Sequence, residues 1–165
     1  MKNIWLSIVL VSAFSFNSHF SCFAQNPQTI PENTTEAQMT AQENNSKELA
    51  AWMIEAAQVA KDYVDTVDRA AYNETWSKGS SIFQGMISQS EWAAALQLGR
   101  APLGKVTSRT LKDQRPAWDP KGLPGGAYMV VEYDTSFEKA PNSGELLTLR
   151  READGKWKVL TYKVN

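Results

Sequence analysis

Residues 145–164 read ELLTLRREADGKWKVLTYKV, two runs of strand-forming residues joined through Asp154-Gly155. An Asp-Gly pair accepts the positive φ angles that a tight hairpin needs, so this stretch predicts antiparallel strands at 145–151 and 156–164. Working back toward the N-terminus, the alternating pattern returns at 127–137 and at 105–111. Turn signals separate the runs: Pro120-Lys121-Gly122, Pro124-Gly125-Gly126, and Pro141-Asn142-Ser143-Gly144.

Upstream of Gly104 the period becomes helical. Leu49, Trp52, Met53, Ala56, Ala60, Tyr63, Val64 and Val67 recur at three- and four-residue intervals, the apolar stripe of one long helix entered near Asn45 or Ser46. A second helical stretch carries Tyr72, Trp76, Phe83, Met86 and Ile87, with a break expected at Gly79. A third opens at a capping box, Ser88 with Glu91, and stops before Pro102, which has no amide hydrogen to donate. Helices followed by hairpin-linked strands define an α+β fold, its N-terminal helices packed on one face of a four-stranded antiparallel sheet.

The leading 24 residues have the form of a signal peptide. Lys2 precedes an apolar run from Ile4 to Phe16, and Cys22-Phe23-Ala24 places small residues at −3 and −1 of a cut before Gln25. Thirteen helical residues cover only ~20 Å of a ~30 Å hydrocarbon core, which disfavours a membrane anchor. Acylation of Cys22 is the other competing fate, weakened by His19 where a lipobox has leucine. Cleavage would remove the only cysteine, Cys22, and the only histidine, His19. The secreted or periplasmic product would carry no thiol, disulfide or imidazole, and no stable membrane span. Residues 25–44, rich in Gln, Asn, Thr, Glu and Pro, are expected to form a disordered linker, and residues 45–165 a single domain.

Read in order, these segments resemble the family catalogued as domain of unknown function 4019. The helical half of the likeness is Trp52, Asp68-Arg-Ala-Ala-Tyr72-Asn-Glu-Thr-Trp76, Phe83, Trp92-Ala-Ala-Ala-Leu96 and Arg100-Ala-Pro102-Leu103-Gly104 with Ser108-Arg109. The sheet half is Leu123-Pro-Gly, Tyr128-Met-Val-Val, Tyr133-Asp-Thr-Ser-Phe137, and Asp154-Gly155-Lys-Trp157-Lys-Val159 with Tyr162. The resemblance implies an exported bacterial protein with a cone similar to the cystatin-like or nuclear-transport-factor-2-like folds. It supplies no catalytic residues.

The expected mature composition excludes Ser-His-Asp and Cys-His catalysis and leaves zinc without its preferred ligands. Gly122-Leu-Pro-Gly-Gly126 joins two strands and opens no helix, so it is not a phosphate loop. No cofactor and no metal is expected. Five residues stand out as binding candidates. Glu132 and Asp134, two apart on a strand, point to one face, where they could share acid/base work or hold a hard cation; one polar end of a half-buried strand is the blander reading. Arg100 and Arg109 flank the helix-to-sheet junction and could clamp an anion, or pair with Asp68, Glu91 or Glu132 and lock helices to sheet. Trp118 is expected in a loop between Pro116 and Pro120, exposed to a partner. The helical aromatics are expected to fill the core.

Charge is uneven: Glu32 to Glu91 carries ten acids and four bases, Arg100 to Lys163 twelve bases and eight acids. The sheet half could face a polyanion such as nucleic acid, lipid headgroups or a cell-surface polymer, but a mild basic excess on alternating strands reads as a solvated face, and no nucleic-acid partner is expected. The sequence favours a non-catalytic module that holds a small ligand or an envelope protein. A small structural envelope domain, and a cone-fold lyase or isomerase using a buried carboxylate, are the alternatives.

Overall fold

The computed structural model describes residues 36–165; the signal-peptide assignment and the first part of the expected linker lie outside them. Helix α1 (Glu36–Asp68) is followed by three short helices, α2 (Tyr72–Ser77), α3 (Ser81–Met86) and α4 (Gln89–Gly99), and a 3₁₀ turn at Ala101–Leu103. Strands β1 (Val106–Trp118), β2 (Ala127–Phe137), β3 (Ala140–Arg151) and β4 (Trp157–Val164) then form one antiparallel sheet in the order β1-β2-β3-β4.

The expected stripe on α1 is the face that packs on the sheet. Ala56, Ala60, Tyr63, Val64 and Val67 are buried against Met129, Val131, Tyr133, Leu147, Leu149, Trp157, Val159 and Tyr162. Strand alternation selects these sheet residues, since every second side chain points to the same face. Helical aromatics complete the interior: Trp52 meets Trp157 edge-on at 6.0 Å, and Phe83 meets Trp92 at 4.9 Å. A second buried cluster joins Phe83, Tyr128 and Leu160.

Local signals fall where expected. Ser88 and Glu91 form the capping box that opens α4. The break between α2 and α3 falls at Gly79, where a Cβ would lie 2.3 Å from the Phe83 ring and where a bridge to Val159 extends the sheet edge.

Four boundaries differ from the sequence reading. First, α1 begins at Glu36, so residues 36–44 are helical and not part of a disordered linker. Their Glu, Ala, Gln and Met content favours helix without a buried face, and the side chains of residues 38–48 are all exposed. Second, β1 continues beyond residue 111 to Trp118, past Lys112 and Pro116. It is an outer strand, where a missing donor and a lysine are tolerated, and Lys112 sits in a bulge.

Third, Pro141-Asn142-Ser143-Gly144 is not a turn. The chain reverses at Glu138-Lys139, and Pro141 and Asn142 occupy an irregularity of the β2–β3 ladder where proline costs no regular hydrogen bond. Fourth, Trp118 is the last residue of β1, opposite Ala127, rather than part of a loop; it is nevertheless 55% exposed.

Candidate functional site

At one end of the α1–sheet interface, six side chains converge from six elements. Asp68 ends α1, Arg100 caps α4, and β1 to β4 contribute Arg109, Thr135, Glu145 and Tyr162 in turn. The alternation that buries Leu147 and Leu149 places Glu145 on the same face, at 0% exposure. A carboxylate so buried costs several kcal/mol unless paired and hydrogen-bonded.

Its pairing is complete. Arg109 donates through Nε to Oε2 at 2.6 Å and through Nη2 to Oε1 at 3.1 Å. The Thr135 hydroxyl donates to Oε2 at 2.7 Å and the Tyr162 hydroxyl to Oε1 at 2.7 Å. The same guanidinium reaches Asp68, with Nη1 to Oδ2 at 2.7 Å and Nη2 to Oδ1 at 3.1 Å. Arg100 Nη2 also donates to Asp68 Oδ1 at 2.9 Å, while its Nη1 donates to the Gly104 carbonyl at 2.8 Å and its plane lies 4.3 Å above the Phe137 ring. Two cations thus meet two anions, and the cluster is neutral.

The electrostatics follow from this packing. Burial acts to lower the Arg109 pKa, but its bonds to Asp68 and Glu145 outweigh burial and raise it further, so the cation is permanent. Burial, then the negative charge of Glu145 and the bond to it, push the Tyr162 phenol far above its ordinary range. Tyr63 is also raised, by burial.

The sequence-based candidates separate into three places. Arg100 and Arg109 meet in the buried cluster, where Asp68 is the partner of both; Glu91 serves its own helix cap and Glu132 lies elsewhere. Glu132 and Asp134 share the opposite face of the sheet, both beside Lys112 Nζ, at 2.8 Å and 3.6 Å. Trp118 stands apart from both groups. Glu145, Thr135 and Tyr162 were missed, although the alternation of Glu145 with Leu147 and Leu149 marks it as inward-facing.

Beside the buried cluster an open groove of about 570 Å³ runs between α1 and the outer strand β1. Ile54, Ala57 and Leu111 give it apolar walls, with Ile54 73% and Leu111 52% exposed. Arg109 and Tyr133 reach it from the sheet, and Gln58, Lys61 and Asp65 from the helix.

The fold and this site define a class: a small α+β domain whose long helix is locked to an antiparallel meander by a neutral, buried ion cluster. The family described as "Protein of unknown function (DUF4019)" matches residues 59–162, and the chain belongs to it. The matched stretch contains all six residues of the cluster. Comparison with curated proteins gives no match.

Proposed function

We propose that the protein is a non-catalytic binding module of the bacterial envelope, and that its binding face is the groove between α1 and β1. The saturation of Glu145 carries this reading. Each of its oxygens accepts two hydrogen bonds, so the buried carboxylate a cone-fold lyase or isomerase would use has no lone pair free for a proton. The groove has the opposite character: exposed apolar walls on a rigid helix and strand, with polar groups at the rim, the usual make-up of a recognition surface. The leader-like first 24 residues support an extracytoplasmic site of action. A small structural domain held away from its attachment point is the second reading, supported by the exposed helical stretch at residues 38–48.

Capture from an envelope extract tests the proposal. The immobilised protein and its Trp118→Ala variant should retain one discrete set of proteins or small molecules, which Ile54→Asp and Leu111→Asp lose. Both aspartates fall at exposed positions and should leave folding intact. Equal retention by all four proteins, or none by any, would refute the groove as a binding face.

A further inference from the structure

We propose that the face of the sheet turned away from α1 carries a second site, independent of the groove, for a neutral polyhydroxyl ligand such as a saccharide unit. A concavity of about 360 Å³ lies there at the β1-β2-β3 end, lined by Ser108 and Thr110 of β1, Asp134 and Ser136 of β2, and Asn142 and Ser143 of β3. Asp134 and Ser136 alternate with the buried Tyr133, Thr135 and Phe137, which fixes their direction away from the core. The irregularity around Ser136 and Pro141-Asn142 brings the start of β3 into the concavity.

The hydrogen-bonding inventory selects the ligand. Ser108, Thr110 and Asn142 bond through their side chains to no other described residue, so two hydroxyls and one amide are open both to donate and to accept. The hydroxyls of Ser136 and Ser143 donate to the carbonyls of Pro141, at 2.5 Å, and Ala140, at 3.2 Å, which leaves their lone pairs to accept. Asp134 is 63% exposed, and its only cationic neighbour among the described residues, Lys112, lies closer to Glu132, at 2.8 Å against 3.6 Å. Its carboxylate is therefore open to a pair of adjacent hydroxyl donors. Pro141 adds an exposed apolar ring against which the C–H face of a sugar can rest.

Other ligand classes fit less well. An anion would meet Asp134 with, among the described residues, no cation lining the concavity. A hard cation would find one carboxylate, and among the described residues no group of three or more His, Cys, Asp or Glu side chains could hold a metal ion. An apolar ligand would strip water from six polar side chains without replacing their bonds. A polyol matches mixed donors and acceptors around one carboxylate.

The test is a nuclear magnetic resonance titration of the isotope-labelled protein with glucose and with N-acetylglucosamine. Sodium phosphate and calcium chloride serve as competing probes. Saturable shifts confined to the amides around Ser108, Thr110, Asp134 and Asn142 are expected with at least one sugar. Asp134→Ala and Asn142→Ala should each weaken them about tenfold, whereas Lys112→Ala should not weaken them. All three positions are exposed, and matching spectra elsewhere verify the fold. Any of three results would overturn the proposal: no shift with either sugar, shifts that survive both alanine variants, or larger shifts at these residues with phosphate or calcium. Ile54→Asp should leave the sugar response unchanged, so this site and the groove succeed or fail separately.

Discussion

Arg109 Nε stands 2.6 Å from Glu145 Oε2, where Glu145 has no solvent exposure and Arg109 only 13%. This ion pair joins the outer strand to the third strand, and the second fork of the same guanidinium ties both to the end of α1. Removing one partner strands the other's charge in the interior. Arg109→Met should therefore destabilise the protein by about 3–5 kcal/mol, and Glu145→Leu by a comparable amount. Replacing both should cost less than the sum, with a coupling of roughly 1–3 kcal/mol. Urea unfolding of the four proteins gives each quantity; additive losses would show that the two side chains do not depend on each other.

Alkaline pH should unfold the domain through its tyrosines. Burial raises the pKa of Tyr162, with Glu145 adding to the effect; burial also raises Tyr63 and Tyr133. The unfolded chain ionises near pH ~10 while the folded one keeps its protons. Above that pH the unfolded state binds fewer protons, so stability falls as pH rises; below it the full contribution is present. The urea midpoint should stay level up to about pH 9 and then decline. Phenolate absorbance from Tyr63 and Tyr162 should appear only as the chain unfolds. A folded protein whose tyrosines all titrate near their ordinary value would contradict the burial of these hydroxyls.

Helix α1 is followed, two residues past Asp68, by a strained residue. Ala70 has φ 56, in the left-handed region, while Ala71 N donates to Thr66 O at 3.2 Å and Ala70 N to Val67 O at 2.9 Å. This is the pattern of a helix terminus that normally carries glycine. Asp119 shares the unusual angle, with φ 46, but its carboxylate accepts from Gly126 N at 2.7 Å, a local compensation that Ala70 lacks. Ala70→Gly should raise stability by about 1 kcal/mol. A thermal midpoint equal to or below that of the native protein would argue against the strain.

Much of the fold was legible because its signals are local. The bounds of β2, the Ser88–Glu91 cap, the Gly79 break and the Asp154-Gly155 turn each rest on a few adjacent residues. The misread segments are those where tertiary position outweighs composition. Residues 112–118, beyond the expected strand at 105–111, carry charges and a proline that suggest a loop, yet an outer strand accepts both. Pro141-Asn142-Ser143-Gly144 has turn chemistry but lies in a ladder irregularity. The buried cluster was half legible: Asp68 was among the expected partners of Arg100 and Arg109. Glu145 was overlooked because an acid at the start of a strand looks solvated until the ends of two helices are brought over it.

Two glycines only six residues apart test how the short helices pack. At Gly79 a Cβ would lie 2.3 Å from Phe83 Cδ1 and 3.0 Å from the Trp76 carbonyl. The chain cannot yield freely there, since Ser80 N donates to Val159 O at 2.8 Å and Trp76 Nε1 to Ile87 O at 2.8 Å. Gly79→Ala should therefore cost about 1–3 kcal/mol, by forcing the Phe83 ring out of its buried site. At Gly85, inside α3, nothing lies within 4 Å of the added carbon, and Gly85→Ala should instead stabilise by roughly 0.5–1 kcal/mol. Urea midpoints moving in opposite directions would establish that the Phe83 contact, and not glycine's general cost in helices, governs this corner of the fold. Movement of both in the same direction would mean that the gap between α2 and α3 is not closed by Phe83.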